Sequence, residues 1–167
     1  MNKTQEYWNI LGNINDWIKY SDTKATILLT LYGVLITIIY SNSTDVLIGL
    51  NKSNWILGFS IISMIFSLIS IIFSFLCINP RLKNENPNSI IYFGHIKEKF
   101  KNSDEYSIHS SNILSSDESY LKELTEQIHT NSSIAWKKFS NVTWSIRFFF
   151  GVLICLIFSI LIYLASF

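Results

Sequence analysis

The chain has 167 residues, of which 49% are hydrophobic and 15% charged, and its formal net charge at pH 7 is +1. Its mean hydropathy of +0.30 is high for a soluble domain. The near-neutral charge and the lack of a basic arm give no support for nucleic-acid binding. The length favours a single domain, and the composition indicates a membrane protein.

Three stretches of at least twenty residues contain no Asp, Glu, Lys or Arg, namely 25–44, 53–80 and 148–167. About twenty helical residues cross a hydrocarbon core of roughly 30 Å. We therefore predict an all-α membrane protein with three transmembrane helices. It would also have an N-terminal amphipathic helix and a helical cytosolic region between the second and third spans.

Residues 1–24 are predicted to form the cytosolic amphipathic helix, because apolar side chains recur there with helical spacing. Trp8 and Trp17 suit the level of the lipid headgroups. Ser21 or Asp22 is expected to cap the start of the next helix, with Lys24 reaching the headgroups. We expect no cleavable signal peptide, so that the first span itself directs insertion.

The first span is predicted at 25–41, an external loop at 42–54 and the second span at 55–78. Loop 42–54 holds one Lys or Arg, whereas residues 81–147 hold nine and the N-terminal segment holds three. Positive charges remain on the cytoplasmic side of a membrane. We therefore expect a multi-pass protein with a cytoplasmic N-terminus and an external C-terminus.

The spans carry small, weakly polar residues on one helical stripe each. In the second span the stripe consists of Ser60, Ser63, Ser67, Ser70 and Ser74. In the first it consists of Thr26, Thr30, Gly33 and Thr37, and in the third of Gly151, Cys155 and Ser159. Such stripes let helices pack closely and share hydrogen bonds. Packing within the bundle explains them, and a subunit interface or wettable path in an oligomer is the alternative.

The cytosolic region is predicted at 79–146. Pro80 ends the second span, because proline disfavours helical geometry in the residue before it. A loop at 84–89 should precede a helix near 90–100 and a short helix near 104–114. From 117 we predict one long helix that continues into the third span, 147–167, and a break near 130–133 stays open.

No Gly-rich phosphate loop, nucleophile elbow or His-Glu-x-x-His motif occurs in the sequence. The three histidines lack ligand spacing, and the two cysteines have no recognisable partners. We therefore predict a protein that is not an enzyme and has no metal or cofactor. The cytosolic region does contain the cations, amides and aromatic rings that a nucleotide site needs. A purely structural helical region explains the same residues, and composition alone favours that explanation.

Three short blocks resemble those of Pycsar transmembrane effectors, in the order of that family. The first is Asn15-Asp16-Trp17 followed by Asp22-Thr23-Lys24-Ala25, and the second is Tyr92-Phe93-Gly94-His95-Ile96. The third comprises Tyr120-Leu121, Leu124, Gln127-Ile128-His129, Ser132, Ile134-Ala135 and Lys138-Phe139. The resemblance covers nearly the whole chain.

This resemblance implies a bacterial antiphage effector of the inner membrane. A partner pyrimidine cyclase would make cCMP or cUMP on infection, and the effector would then impair the lipid bilayer, causing abortive infection. A homo-oligomer is expected. The alternatives are a ligand-independent, holin-like toxin and a non-toxic membrane anchor or assembly subunit.

The resemblance does not identify the ligand contacts, so we expect them among the polar and aromatic residues of the second and third blocks. The candidates are Tyr92, Phe93, His95, Gln127, His129, Ser132 and Lys138. Asp22 and Lys24 are expected to couple the cytosolic region to the membrane.

Overall fold

The computed structural model describes residues 3–79 and 89–165, which form six helices and no strand. In chain order they are α1 (Lys3–Ser41), α2 (Ser43–Lys52), α3 (Asn54–Ile78), α4 (Phe93–Lys99), α5 (Ser103–Leu114) and α6 (Asp117–Ala165). Helices α1, α3 and α6 are long and apolar enough to cross a membrane. The predicted all-α membrane fold is confirmed. Of the predicted loop at 84–89, only Ser89 lies within the described residues.

Helix α1 corrects the prediction that a new helix starts after residue 24. It runs unbroken from Lys3 to Ser41. The predicted capping residues serve other purposes: Ser21 is buried, and the Asp22 carboxylate accepts a hydrogen bond from Lys138 of α6. No Pro or Gly interrupts residues 13–32, so the amphipathic helix and the first span form one element.

The segment 42–54, predicted as an external loop, is mostly helical, because it contains α2. Asp45 lies in the first turn of α2 and Lys52 in its last turn, an arrangement that the helix dipole favours. Ser53 then caps α3 by accepting a hydrogen bond from the Trp55 amide at 3.3 Å. The second span therefore begins with a capped turn.

The remaining helices match the sequence prediction closely. Asn102 caps α5 by accepting from the Glu105 amide at 2.9 Å. Helix α6 runs for 49 residues with no break near 130–133. There Thr130 and Ser132 donate to carbonyls of their own helix, at 3.0 and 2.8 Å, and the helix continues through them.

The chain divides into two compact units, and α1 and α6 contribute to both. The first comprises residues 1–19 and 81–136, and the second comprises 20–80 and 137–167. In the first unit Leu11 and Leu124 are buried, and the Trp8 indole donates to the Tyr120 hydroxyl at 3.0 Å. These contacts hold the start of α1 against the start of α6.

In the second unit α3 and α6 are antiparallel. Their aromatic rings meet in sequence along the pair, with Phe66 on Phe148 at 5.7 Å and Phe59 on Phe158 at 5.6 Å between ring centroids. Ala25 of α1, Cys77 of α3 and Val142 of α6 form a buried cluster. All three long helices therefore contribute to this core.

Candidate functional site

A chain of hydrogen bonds in the first unit brings together two of the predicted ligand residues, His95 and Gln127. The backbone amide of Ser89 donates to His95 Nδ1 at 3.2 Å, and its hydroxyl donates to Gln127 Oε1 at 3.1 Å. The same hydroxyl accepts from the amides of Ile91 and Tyr92. His95 and Gln127 are 5% and 7% exposed, so this is a largely buried polar group.

The chain continues from Gln127 to α1. Gln127 Nε2 donates to Asn131 Oδ1, and Asn131 Nδ2 donates to Asn15 Oδ1, both at 2.8 Å. Asn15 thus connects the first of the three sequence blocks to the third, and Ser89 connects the third to the second. A partly buried polar chain whose members bond one another holds its elements in one arrangement.

The segment before α4 is fixed by a second pair of bonds. The Ile90 amide donates to Glu123 Oε2 at 3.2 Å, and the Ile90 carbonyl accepts from the Tyr106 hydroxyl at 3.0 Å. Helices α5 and α6 therefore both hold Ile90. This positions Tyr92, which follows two residues later, at the start of α4.

Tyr92 covers Gly94 and His95. Its ring lies edge-on to His95, with centroids 5.0 Å apart, and next to Phe93 at 4.8 Å. A Cβ atom placed on Gly94 would lie 2.6 Å from Tyr92 Cε1, closer than carbon atoms can approach. The glycine of this block is therefore explained by the close approach of the tyrosine ring.

The other predicted ligand residues lie elsewhere. Phe93 is 77% exposed, and His129 and Ser132 are exposed on α6. At 3.6 residues per turn, His129 and Ser132 point roughly half a turn away from Gln127. The seven candidates therefore do not form one cluster: His95, Gln127 and Tyr92 lie together, whereas His129 and Ser132 lie on another face of α6.

Lys138 belongs to the second unit and is engaged there. Its ammonium donates to Asp22 Oδ1 and, at 3.0 Å, to the Cys77 carbonyl oxygen. The side chain is only 6% exposed, whereas that of Asp22 is 38% exposed. Cys77 lies in the last turn of α3, where the helix dipole favours a cation.

The second predicted coupling residue, Lys24, lies beside this ion pair in sequence. Its ammonium lies 5.9 Å from the centroid of the Phe139 ring. Both predicted coupling residues therefore contact α6 immediately after the point where it enters the second unit.

The serine stripe of α3 divides into two halves. Ser70 donates to the Ser145 carbonyl at 2.8 Å, Ser145 donates to the Ser70 carbonyl at 2.8 Å, and the Ser74 and Ser145 hydroxyls are 2.7 Å apart. These three residues are fully buried. In contrast, Ser60, Ser63 and Ser67 line a cavity. One half of the stripe packs the bundle, and the other half lines open space.

The residues that sequence reasoning did not select are the partners in these networks: Asn15, Ser89, Glu123, Asn131 and Ser145. Asn15 lies in the first of the three sequence blocks, and Asn131 is one of the amides of the cytosolic region. Both could therefore have been selected as site candidates from the sequence. Ser145 had no signal, because its role depends on the register between α3 and α6.

The first unit offers amides, a hydroxyl and an imidazole, which supply both donors and acceptors. Among residues 3–79 and 89–165, no cluster of His, Cys, Asp or Glu is suited to hold a metal ion. The members of this hydrogen-bonded chain bond one another in the present conformation.

A family model and a known protein that resemble this chain both belong to one family. The sequence model of the Pycsar effector protein domain matches residues 6–165. The Pycsar effector protein PtPycTM of Propioniciclava tarda is 25% identical over 157 residues, which cover 92% of this chain and 76% of the relative. No solved structure shows significant similarity to the chain.

Proposed function

Since the chain belongs to the Pycsar effector family, whose domain covers residues 6–165, we propose that it is the membrane effector of an antiphage system. It binds a cyclic pyrimidine mononucleotide, cCMP or cUMP, made by a partner pyrimidine cyclase. It then impairs the bacterial inner membrane and causes abortive infection. The N-terminus is cytoplasmic and the C-terminus external, as the distribution of Lys and Arg favours.

The observation that carries this proposal is the hydrogen-bonded chain from Asn15 through Gln127 to His95. It joins side chains from all three family blocks within one unit. A pyrimidine base presents donors and acceptors on one edge, and amides and hydroxyls can pair with both. Tyr92 and the exposed Phe93 supply rings for stacking on the base.

Nucleotide binding would act by replacing hydrogen bonds within the chain that runs from Asn15 to His95. A base that pairs with Gln127 must replace its bond to Ser89 or to Asn131, which alters the hold on the segment before α4 or on α1. Helices α1 and α6 each continue without a break into the second unit, residues 20–80 and 137–167, which is the membrane unit. A ligand shifts this equilibrium only by the difference in its affinity for the two states.

In the membrane unit the ion pair of Asp22 and Lys138 is the proposed coupling point, with Lys24 beside it. Lys138 joins α1 to the end of α3, which supports a coupling role for it rather than a ligand contact. A shift of α6 relative to α1 must lengthen or break this pair. The bundle of three spans then changes its packing.

Oligomerisation is proposed through α1. The small residues of α3 and α6 are largely used within the protomer, but those of α1 are exposed, namely Thr26, Thr30, Gly33 and Thr37. The three threonine hydroxyls bond carbonyls of their own helix, so this face can meet a second apolar helix without unpaired groups. Gly33→Leu should reduce chemical cross-linking between protomers in membranes.

Calorimetric titration of the purified protein with cCMP, cUMP, cAMP and cGMP tests ligand binding. We expect heat of binding with one or both pyrimidine nucleotides. His95→Ala and Gln127→Ala should weaken binding at least tenfold, whereas His129→Ala and Ser132→Ala, which alter the other face of α6, should not. Absence of heat with all four nucleotides would refute the ligand proposal.

Liposomes that contain the protein and a trapped dye test the membrane step. We expect dye release only after the bound nucleotide is added. Release without nucleotide would identify a holin-like toxin. Binding without release would leave a membrane anchor that senses a nucleotide.

A further inference from the structure

The membrane unit contains a cavity of about 520 Å³ bordered by α1, α2, α3 and α6. Three serines of α3 and Tyr32 contribute the polar lining groups, and the other lining residues are aliphatic or Met64. This volume lies within the range of small-molecule pockets, roughly 300–1,000 Å³. None of the predicted nucleotide or coupling residues lines it.

The cavity begins at the end of the bundle next to α2. Val46 and Leu50 of α2 border one end. Along α3, Ser60 and Ser67 lie six and thirteen residues from the start of the helix, which corresponds to depths of about 9 and 20 Å at 1.5 Å per residue. Ile71 also lines the cavity, at a depth of about 26 Å, so the cavity extends from α2 to beyond the middle of the span.

Its mouth opens sideways between α1 and α3. The lining residues Ile36, Met64 and Leu68 are 60%, 66% and 53% exposed, respectively. In a membrane these side chains face the hydrocarbon core rather than water. The cavity is therefore accessible to lipid tails directly from the bilayer.

Its floor is hidden from the surroundings. Val152 is 2% and Ser63 is 6% exposed. The Tyr32 ring packs edge-on to Phe149 at 5.5 Å, and its hydroxyl is buried. Ten of the fourteen lining side chains are aliphatic or Met64, so the lining is predominantly apolar.

We propose that this cavity binds one acyl chain of a membrane lipid from the leaflet next to α2. An aliphatic chain matches the lining, enters through the lateral mouth and regains the dispersion contacts that an empty space forfeits. A helix of a second copy does not fit, because it is about 10 Å wide and α2 closes the end of the groove. The bound chain separates α1 from α3 along the cavity.

The test is photolabelling of the full-length protein in nanodiscs of phosphatidylethanolamine and phosphatidylglycerol. A small fraction of a phospholipid with an aryl-diazirine in its acyl chain is added, and adducts are mapped by mass spectrometry. We expect adducts on floor residues such as Ser63 and Val152, in addition to adducts on outward residues such as Ile65. Ser63→Phe should abolish labelling of Val152, whereas Ile65→Phe, at similar depth but outside the cavity, should leave it unchanged.

The wild-type map decides the question even where Ser63→Phe does not fold. Adducts confined to outward residues would overturn the proposal. Cross-links between floors of two protomers, in place of lipid adducts, would assign the cavity to a second copy and also overturn it. Rapid reaction of Ser63→Cys with a charged, membrane-impermeant thiol reagent would show a water-filled cavity, with the same consequence. None of these results depends on nucleotide binding, so failure here is separable from failure of the proposed effector function.

Discussion

Lys138 and Asp22 form an ion pair in which the cation is almost completely buried and the carboxylate is partly open to its surroundings. The two residues are 116 positions apart in the sequence, and their bond joins α6 to α1, while the second bond of Lys138, to the Cys77 carbonyl, adds α3. A single ammonium group thus connects the three membrane-crossing helices. The two members of the ion pair therefore differ in how well each tolerates the loss of the other.

Removal of Asp22 should therefore be more damaging than removal of Lys138. Asp22→Ala leaves a buried ammonium without a counter-charge, which costs about 3 kcal/mol of stability. Lys138→Met leaves a carboxylate that can be solvated and one carbonyl without its partner, at a cost of about 1 kcal/mol. Thermal unfolding in detergent should rank the variants in this order, with Asp22→Asn/Lys138→Met more stable than Asp22→Ala.

The exposed pair of Lys19 and Asp16, at 3.5 Å, is the matched control. Surface pairs of this kind contribute 0–1 kcal/mol, so Asp16→Ala should change the unfolding temperature little. Equal effects of Asp22→Ala and Lys138→Met would show that burial of the cation does not determine the energetics of the pair.

The serine cluster leads to a second prediction. Ser145 is bonded to both Ser70 and Ser74, so Ser145→Ala removes hydrogen bonds that join α6 to α3. Such bonds in membranes contribute roughly 0.6 kcal/mol each, and we expect a total loss of about 1–2 kcal/mol in a denaturation assay in bicelles.

Ser159 of the same helix provides the control for that experiment. Its hydroxyl is buried with no hydrogen-bond partner, so Ser159→Ala removes an unsatisfied polar group and should be neutral or stabilising. A similar loss for both variants would mean that the hydrogen bonds of Ser145 contribute nothing specific.

The helices of this protein were largely predictable, but the pairing between them was not. Composition and helical period located α3 and α6, because a span of twenty apolar residues has few alternatives in a membrane. The predicted start of a new helix near Ser21 and Asp22 was wrong because these residues match a capping pattern, whereas Ser21 is buried and Asp22 pairs with Lys138 within one continuous α1. Whether a polar residue caps, pairs or binds depends on the register between distant helices, which neither period nor composition encodes.

Lys138 shows the same limit for the candidate site. Its position in a family block placed it among the ligand candidates, together with Gln127 eleven residues earlier. The structure assigns the two to different units. Residues of one sequence block can therefore lie in different units of the structure, and the block alone does not show which of them contact each other.

Gly94 leads to a third prediction, for ligand binding. Gly94→Ala places a methyl group 2.6 Å from Tyr92 Cε1 and must displace the ring from His95. If Tyr92 stacks on the nucleotide, the affinity measured by calorimetry should fall about tenfold, which corresponds to about 1.4 kcal/mol. Gly12→Ala, in the same unit and with no atom near its new methyl group, should bind as the wild type does.

Gly151 leads to the fourth prediction, because the Phe66 ring of α3 packs directly on it. A Cβ atom there would lie 2.6 Å from Phe66 Cδ2 and 2.8 Å from Cε2. Gly151→Ala should therefore destabilise the pairing of α3 and α6 by about 1–3 kcal/mol, the usual cost of overpacking. Gly58→Ala on α3, which meets no atom within 4 Å, should have no such cost in the same denaturation assay.

A second-site change distinguishes a steric cause from a general effect of glycine on the helix. Phe66→Leu makes room beside residue 151, so the double variant Gly151→Ala/Phe66→Leu should be more stable than the sum of the two single changes predicts. An interaction energy of about 1 kcal/mol is expected for two residues in direct contact. Strict additivity would show that Gly151 is needed for a reason other than the approach of Phe66, and the α3–α6 register inferred from this contact would then have to be revised.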